Sequence, residues 1–331
     1  MDRRTLIKGV AGITSASLSL PGSQLLGNSA KEFCIGLGSC LNNSQDGAIL
    51  DVVRAYDPQL FLWLGDNIYG DTTNMSLLQR KYQRLADNPR FQKLRDHCLN
   101  LSIWDDHDYG ANNAGQEYSK KKASREIFLN FWNIPDDDPR WSHPGIYGSY
   151  LLGDEGQSVH IILLDGRTFR STTKWSPTGT MLGQLQWDWL ADALEVTADV
   201  TIICSGIQVL ADEHGYEGWY EFPKERERLF SLIRRSGRSG VIFVSGDQHW
   251  SELTRVNNRL DYPSFDFTAS SLDQSWPLPK NSKRVGSAYG SPNFGGIRIQ
   301  WDEDPQIVFE IIDHMGQRRM QHRVSLSSLQ S

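Results

Sequence analysis

Leu60-Phe61-Leu62-Trp63-Leu64 runs directly into Gly65-Asp66-Asn67-Ile68-Tyr69, five apolar residues followed at once by a turn carrying a carboxylate, an amide and a phenol. A continuous apolar run of that length reads as a strand buried on both faces. Similar runs recur outward in both directions, at 33–37, 99–104, 159–164, 200–204 and 241–244. Helical periodicity falls between them, at 47–56, 76–86, 120–131, 182–194 and 225–234. Strands alternating with helices predict an α/β chain with a largely parallel central sheet. After Trp250 the runs at 252–256, 265–269, 296–301, 307–312 and 317–324 alternate more and have no helices between them, which predicts an antiparallel sheet completing the same domain. Residues 136–150 read as a surface excursion.

The chain has 331 residues, 39% hydrophobic and 22% charged, an ordinary globular composition with length enough for a large core. A net charge of -6 and a pI near 5.8 give no general attraction to nucleic acid or to an anionic membrane, so phosphate binding has to come from a local site. Asp2-Arg3-Arg4-Thr5-Leu6-Ile7-Lys8, followed by a weakly apolar Gly/Ala/Ser-rich stretch, resembles a twin-arginine export signal over residues 1–30. The stretch is too short to span a membrane. Residues 31–331 then form one domain that is periplasmic or secreted. Cys34, Cys98 and Cys204 lie in or beside apolar runs and read as free core thiols, while Cys40 follows Gly38-Ser39 in a loop.

In open α/β sheets ligands bind at the carboxyl ends of the strands, so the residues after each run decide the chemistry. Those residues are Cys40; Asp66, Asn67 and Tyr69; Asp105, Asp106, His107 and Asp108; Asp165, Arg167 and Arg170; and Asp247 and His249. Any one of these aspartates could cap a following helix. Carboxylates, imidazoles, a phenol and a thiol converging on one edge instead call for several cations, because only high positive charge offsets so many anions.

In order along the chain, Gly-Ser-Cys, Gly-Asp-Asn-Ile-Tyr, Trp-Asp-Asp-His-Asp, Leu-Asp-Gly-Arg-Thr-Phe-Arg, Gln-Trp-Asp-Trp-Leu and Ser-Gly-Asp-Gln-His-Trp-Ser-Glu resemble the PhoD-type alkaline phosphatases among the calcineurin-like metallophosphoesterases. The resemblance runs from about residue 33 to residue 300, taking in Gly218-Trp219-Tyr220 and Asn293-Phe294-Gly295. It implies a four-layer αββα sandwich with mixed sheets. It also implies that Asp66 bridges metals, that Cys40 and Tyr69 hold ferric iron, and that Asp106, Asp247, His249 and Asn112 or Asn113 complete the ligands. Oxygen-only positions suit calcium, whereas phenolate and thiolate suit iron; another divalent metal would also fit oxygen donors.

The implied reaction is hydrolysis of a small-molecule phosphoester, a monoester or also a diester, by a metal-bound hydroxide. His107, oriented by Asp106 or Asp108, would protonate the leaving oxygen. Arg167 and Arg170 would clamp phosphate, or Asp165 and Arg167 would instead form a buried ion pair steadying the site. Trp219, Tyr220 and Trp250 are candidates for the pocket wall. The rival readings are a phosphodiesterase of phospholipase D-like activity, a non-catalytic carbohydrate-binding protein using its tryptophans, and a glycosidase with Asp105 and Asp108 as its acid pair.

Overall fold

The computed structural model describes residues 31–42, 46–172, 175 and 178–330; the expected export signal over residues 1–30 lies outside them. Among the described residues the strands are β1 (Glu32–Gly38), β2 (Leu60–Leu64), β3 (Leu99–Ile103), β4 (Gly148–Leu152), β5 (Val159–Leu163), β6 (Val200–Ser205), β7 (Val241–Ser245), β8 (Ser251–Val256), β9 (Ser264–Ala269), β10 (Arg284–Tyr289), β11 (Asn293–Gln300), β12 (Gln306–Asp313) and β13 (Arg318–Ser325). The helices are α1 (Ile49–Ala55), α2 (Met75–Ala86), α3 (Pro89–His97), α4 (Asp106–Tyr109), α5 (Lys121–Phe131), α6 (Gly183–Ala193) and α7 (Pro223–Ser236).

Each of the six continuous apolar runs is a strand with nearly every residue buried. They do not share one sheet. Two sheets form, ordered β13-β12-β11-β1-β2-β3 and β10-β8-β9-β7-β6-β5-β4. The first has β1, β2 and β3 parallel, with β11 antiparallel to β1 and β12 and β13 continuing outward. The second has β5, β6, β7 and β9 parallel, with β4 antiparallel to β5 and β8 antiparallel to β9. The late strands are therefore divided between the sheets and do not form a sheet of their own. Their alternation specifies antiparallel pairing, but either parallel core has an edge whose N–H and C=O groups need partners.

The sheets face one another through rings such as Phe267 of β9 and Phe309 of β12, whose centroids are 5.5 Å apart. Helices close the outer faces: Phe91 of α3 lies 5.3 Å from Trp63 of β2, and Phe230 of α7 lies 6.1 Å from Phe243 of β7. The result is the expected helix–sheet–sheet–helix order. No helix of the described residues is long and apolar enough to cross a membrane.

Helix α4 and strand β10 lie outside the patterns read from the sequence, and two further segments depart from that reading. Helix α3 was not legible as a periodic pattern because Phe91 and Leu94 are its only buried side chains; it starts because Asn88 accepts from Arg90 N and Phe91 N and Pro89 presets the first turn. The stretch 136–150 is not only surface. Arg140, held by Asp138 at 2.6 Å, is buried under Tyr150 of β4, so a charged pair supports an edge strand. All four cysteines are free and buried.

Candidate metal centre

Loops after β1, β2, β3 and β7 meet at one edge and are laced by main-chain bonds: Leu41 N donates to Asp66 O at 3.0 Å, and Gly70 N to His107 O at 2.9 Å. The chain is bent sharply there. Cys40 (φ 60°), Asp66 (50°), Asp71 (43°), Asn113 (58°), Asp247 (70°) and His249 (60°) all have left-handed backbone without being glycine. Such residues cost about 1 kcal/mol or more each and persist where surrounding structure enforces them, often at functional sites. At Gly65 (φ +93°) the turn needs glycine outright, since a Cβ would sit 2.5 Å from Asp105 Cβ.

Three sets of metal-competent side chains result, each with donor atoms within 4.8 Å of one another: Cys40, Asp66 and His249; Asp66, Asp106 and His107; and Asp66, Asp105, Asp106 and Asp247. Asp66 belongs to all three, the position of a bridging ligand. Cys40 Sγ lies 3.5 Å from Asp66 Oδ2 and 3.2 Å from Ser270 Oγ, and Tyr69 OH lies 3.0 Å from His249 Nε2. Thiol, phenol and imidazole thus share one side of Asp66. Oxygen donors occupy the other. Asn113 reaches Asp106 through its backbone N–H at 2.5 Å, while its side chain is exposed.

The charge balance tests whether cations fit. Asp66, Asp105, Asp106, Asp247 and Glu217 crowd together, and the guanidiniums among them are Arg167 and Arg170. Burial, then Cys40 and Asp106, push the Asp66 carboxyl well above the carboxylate range; burial, then Asp105 and Asp106, do the same to Asp247. Burial lifts the Cys40 thiol to about 12 and also raises Tyr69, with Cys40 adding to that rise. Burial lowers His249, keeping it a neutral donor. Cations in place of protons would release all these groups to their anionic forms. The residues therefore fit a metal centre.

Both arginines of the expected phosphate clamp are engaged by carboxylates. Arg167 has no exposed surface; its Nε and Nη2 donate to Asp105 at 2.6 and 2.8 Å, and Nη2 lies 2.5 Å from Glu217 Oε2. Arg170 is 2% exposed and bound to Glu217 and to Asn113 O. Arg167 is in a buried ion pair, but its partners are Asp105 and Glu217; Asp165, the expected partner, accepts only the Arg167 backbone N–H at 2.9 Å. Asp105, with both oxygens on Arg167, positions its neighbours. Asp108 does not orient His107: its Oδ1 accepts from Asp105 N at 2.6 Å and its Oδ2 from Asn67 Nδ2 at 2.5 Å, fixing the start of α4. That leaves no acid pair for a glycosidase.

His107 is instead held by Asp71, whose Oδ1 is 2.7 Å from Nδ1. Burial alone would lower this imidazole; the Asp71 bond and the Asp106 charge outweigh it, so its pKa is raised. Asp71 lies two residues beyond Tyr69 and Glu217 directly before Gly218-Trp219-Tyr220, so both were findable by extending the motifs. Ser270, in the loop after β9, carried no signal. Trp219 and Trp250 are buried core, not pocket wall.

The fold is similar to that of several solved proteins. A structure of PhoD gives a TM-score of 0.69 at 14% identity over 89% of this chain and 72% of that one. The purple acid phosphatase PPD1 from yellow lupin (Lupinus luteus) seeds gives 0.64 at 12% identity over 91% and 55%. GAP50, the anchor in the inner membrane complex of Plasmodium, gives 0.59 at 14% identity over 89% of each chain. At such identities the likeness shows the fold alone. No curated protein sequence matches the chain. The model of the PhoD-like phosphatase family matches residues 35–293, a span containing every donor from Cys40 to His249. With its fold, its clustered donors and that span in agreement, the chain belongs to the PhoD-like phosphatase family and is a phosphoester hydrolase.

Proposed function

We propose that the chain is an exported phosphatase that holds iron at Cys40, Tyr69, Asp66 and His249 and calcium at Asp66, Asp106 and Asp247, and that it hydrolyses phosphomonoesters. The observation that carries the reading is that Asp66 is common to a thiol-, phenol- and imidazole-bearing donor set and to an oxygen-only one. When bound, the cations supply Lewis acidity toward the phosphoryl oxygens and acidify the attacking water. His107, with Nδ1 held by Asp71, presents Nε2 to protonate the leaving oxygen. Arg167 and Glu217 keep Asp105 and the adjoining Asp106 in place without touching substrate. Export is read from Arg3-Arg4 and is checked by locating the processed protein after cell fractionation.

A second reading, phosphodiester hydrolysis, is favoured by one observation. Both arginines are committed to carboxylates, so neither is available to a phosphate dianion. Initial rates on nitrophenyl phosphate and on bis-nitrophenyl phosphate, with and without added calcium and with Asp66→Asn as control, separate the two. Cleavage of the monoester lost in Asp66→Asn supports the first reading, and preference for the diester supports the second. Failure of metal-replete protein to cleave either contradicts both.

A further inference from the structure

Six large hydrophobic side chains are exposed among the described residues, and two of them, Trp276 (49%) and Tyr216 (45%), form a pair next to His249, which Trp276 contacts directly. Trp276 is fixed there from several sides. Its backbone N–H donates to His249 O at 3.0 Å, its ring centroid is 6.2 Å from the His249 imidazole, and its Nε1 donates to Tyr216 OH at 3.0 Å. Gly290 lets the loop close down, since a Cβ there would sit 2.7 Å from Trp276 O. Tyr216 is anchored in turn, with its backbone N–H on His214 Nδ1 at 3.1 Å and its ring 5.9 Å from Trp250.

Holding two aromatic side chains in place forfeits rotamer freedom, and leaving half of each in water forgoes burial. A loop that accepts both penalties presents a rigid, flat, apolar surface, and rigid aromatic surfaces of this kind bind rings at low ordering cost. We propose that Trp276, braced by Tyr216, is a stacking platform for the leaving group, making phosphoesters that carry a planar ring the preferred substrates over aliphatic ones. The proposal rests on phosphoester chemistry at Asp66 and His249. With phosphorus held beside His249, the ring of an aryl ester, or a base one sugar away, comes within reach of the indole. A membrane surface is the less suitable occupant, since the chain carries a net charge of -6.

The test compares kcat and KM of metal-replete protein on nitrophenyl phosphate, adenosine monophosphate and glycerol phosphate. Stacking on an aromatic side chain gives about a fivefold to hundredfold advantage. The expected result is a KM about tenfold or more lower for the two ring-bearing esters, an advantage lost through KM in Trp276→Ala and largely restored in Trp276→Tyr. Equal handling of all three esters by the native protein overturns the proposal. So does an equal loss on all three in Trp276→Ala, which would make Trp276 only a support for His249, or a loss confined to sedimentation with anionic phospholipid vesicles. If none of the three is cleaved, the phosphoester reading of the site fails separately. The platform is then read from tryptophan fluorescence: quenching by adenosine monophosphate that disappears in Trp276→Ala supports it, and equal quenching overturns it.

Discussion

Replacing Arg167 by methionine keeps most of the side-chain volume and removes the guanidinium that Asp105 and Glu217 share. Asp105 is bound through Nε and Nη2 at 2.6 and 2.8 Å and Glu217 lies 2.5 Å from Nη2, all with essentially no exposure, so solvent screens little of the change. Removing one partner of such a buried pair costs about 3–5 kcal/mol, because the charges left behind stay buried. At roughly 2 °C per kcal/mol for a chain of this size, the melting temperature falls by about 6–10 °C. The pH dependence has a definite sign. Burial already holds Asp105 up at about 6 even though Arg167 pulls it down, so without Arg167 its folded pKa rises further. A carboxyl whose folded pKa lies above its unfolded value favours folding at low pH and loses that contribution as pH rises through the folded pKa. Arg167→Met is thus closest to the native protein near pH 5 and furthest from it near pH 8, as measured by urea unfolding at both. An unchanged unfolding midpoint, combined with a tenfold rise in KM, would refute the buried-network account and restore the phosphate clamp.

Asp71→Asn removes the anionic partner of His107 Nδ1, and kcat is expected to fall by about tenfold to a hundredfold with KM little changed. The loss should be larger for glycerol phosphate, which has the poorer leaving group, than for nitrophenyl phosphate; equal losses would contradict a proton-donor role. Away from the site, burial lowers His160 from 6.5 to about 4, and neither of its ring nitrogens has a hydrogen-bond partner. The unfolded chain binds that proton first, so native stability declines as pH falls from about 6.5 toward 4, by on the order of 3 kcal/mol at most. His160→Leu should flatten that part of the stability curve, and an unchanged slope would show that the acid sensitivity arises elsewhere.

How much of this was legible depended on the kind of signal. The buried strands were readable because Leu60–Leu64 and its counterparts bury both faces and so are predominantly apolar, with only Asn100, Ser102, His160 and Thr201 set among the apolar residues. The division of the late strands between two sheets was not, since alternation records which face is buried and not which neighbour pairs. Cys40, Asp66, Tyr69, Asp106, Asp247 and His249 were named because each follows a strand directly, and these donors do converge. The roles of Arg167, Arg170 and Asp108 depended on what lies opposite in space. Glu217, some fifty residues beyond Arg167, turns a plausible clamp into an internal ion pair. Asp71 lay within reach of the Tyr69 motif, but its role too is set by what faces it in space, the Nδ1 of His107. Trp276 gave no sign at all, because exposure is set by the loops around it.

Elemental analysis of the native protein and of Tyr69→Phe, both purified without chelator, decides whether the site holds iron beside calcium. Bound iron together with calcium is expected in the native protein, and loss of iron with retention of calcium when the phenol beside His249 is removed. A fully active native protein containing no iron would contradict that expectation.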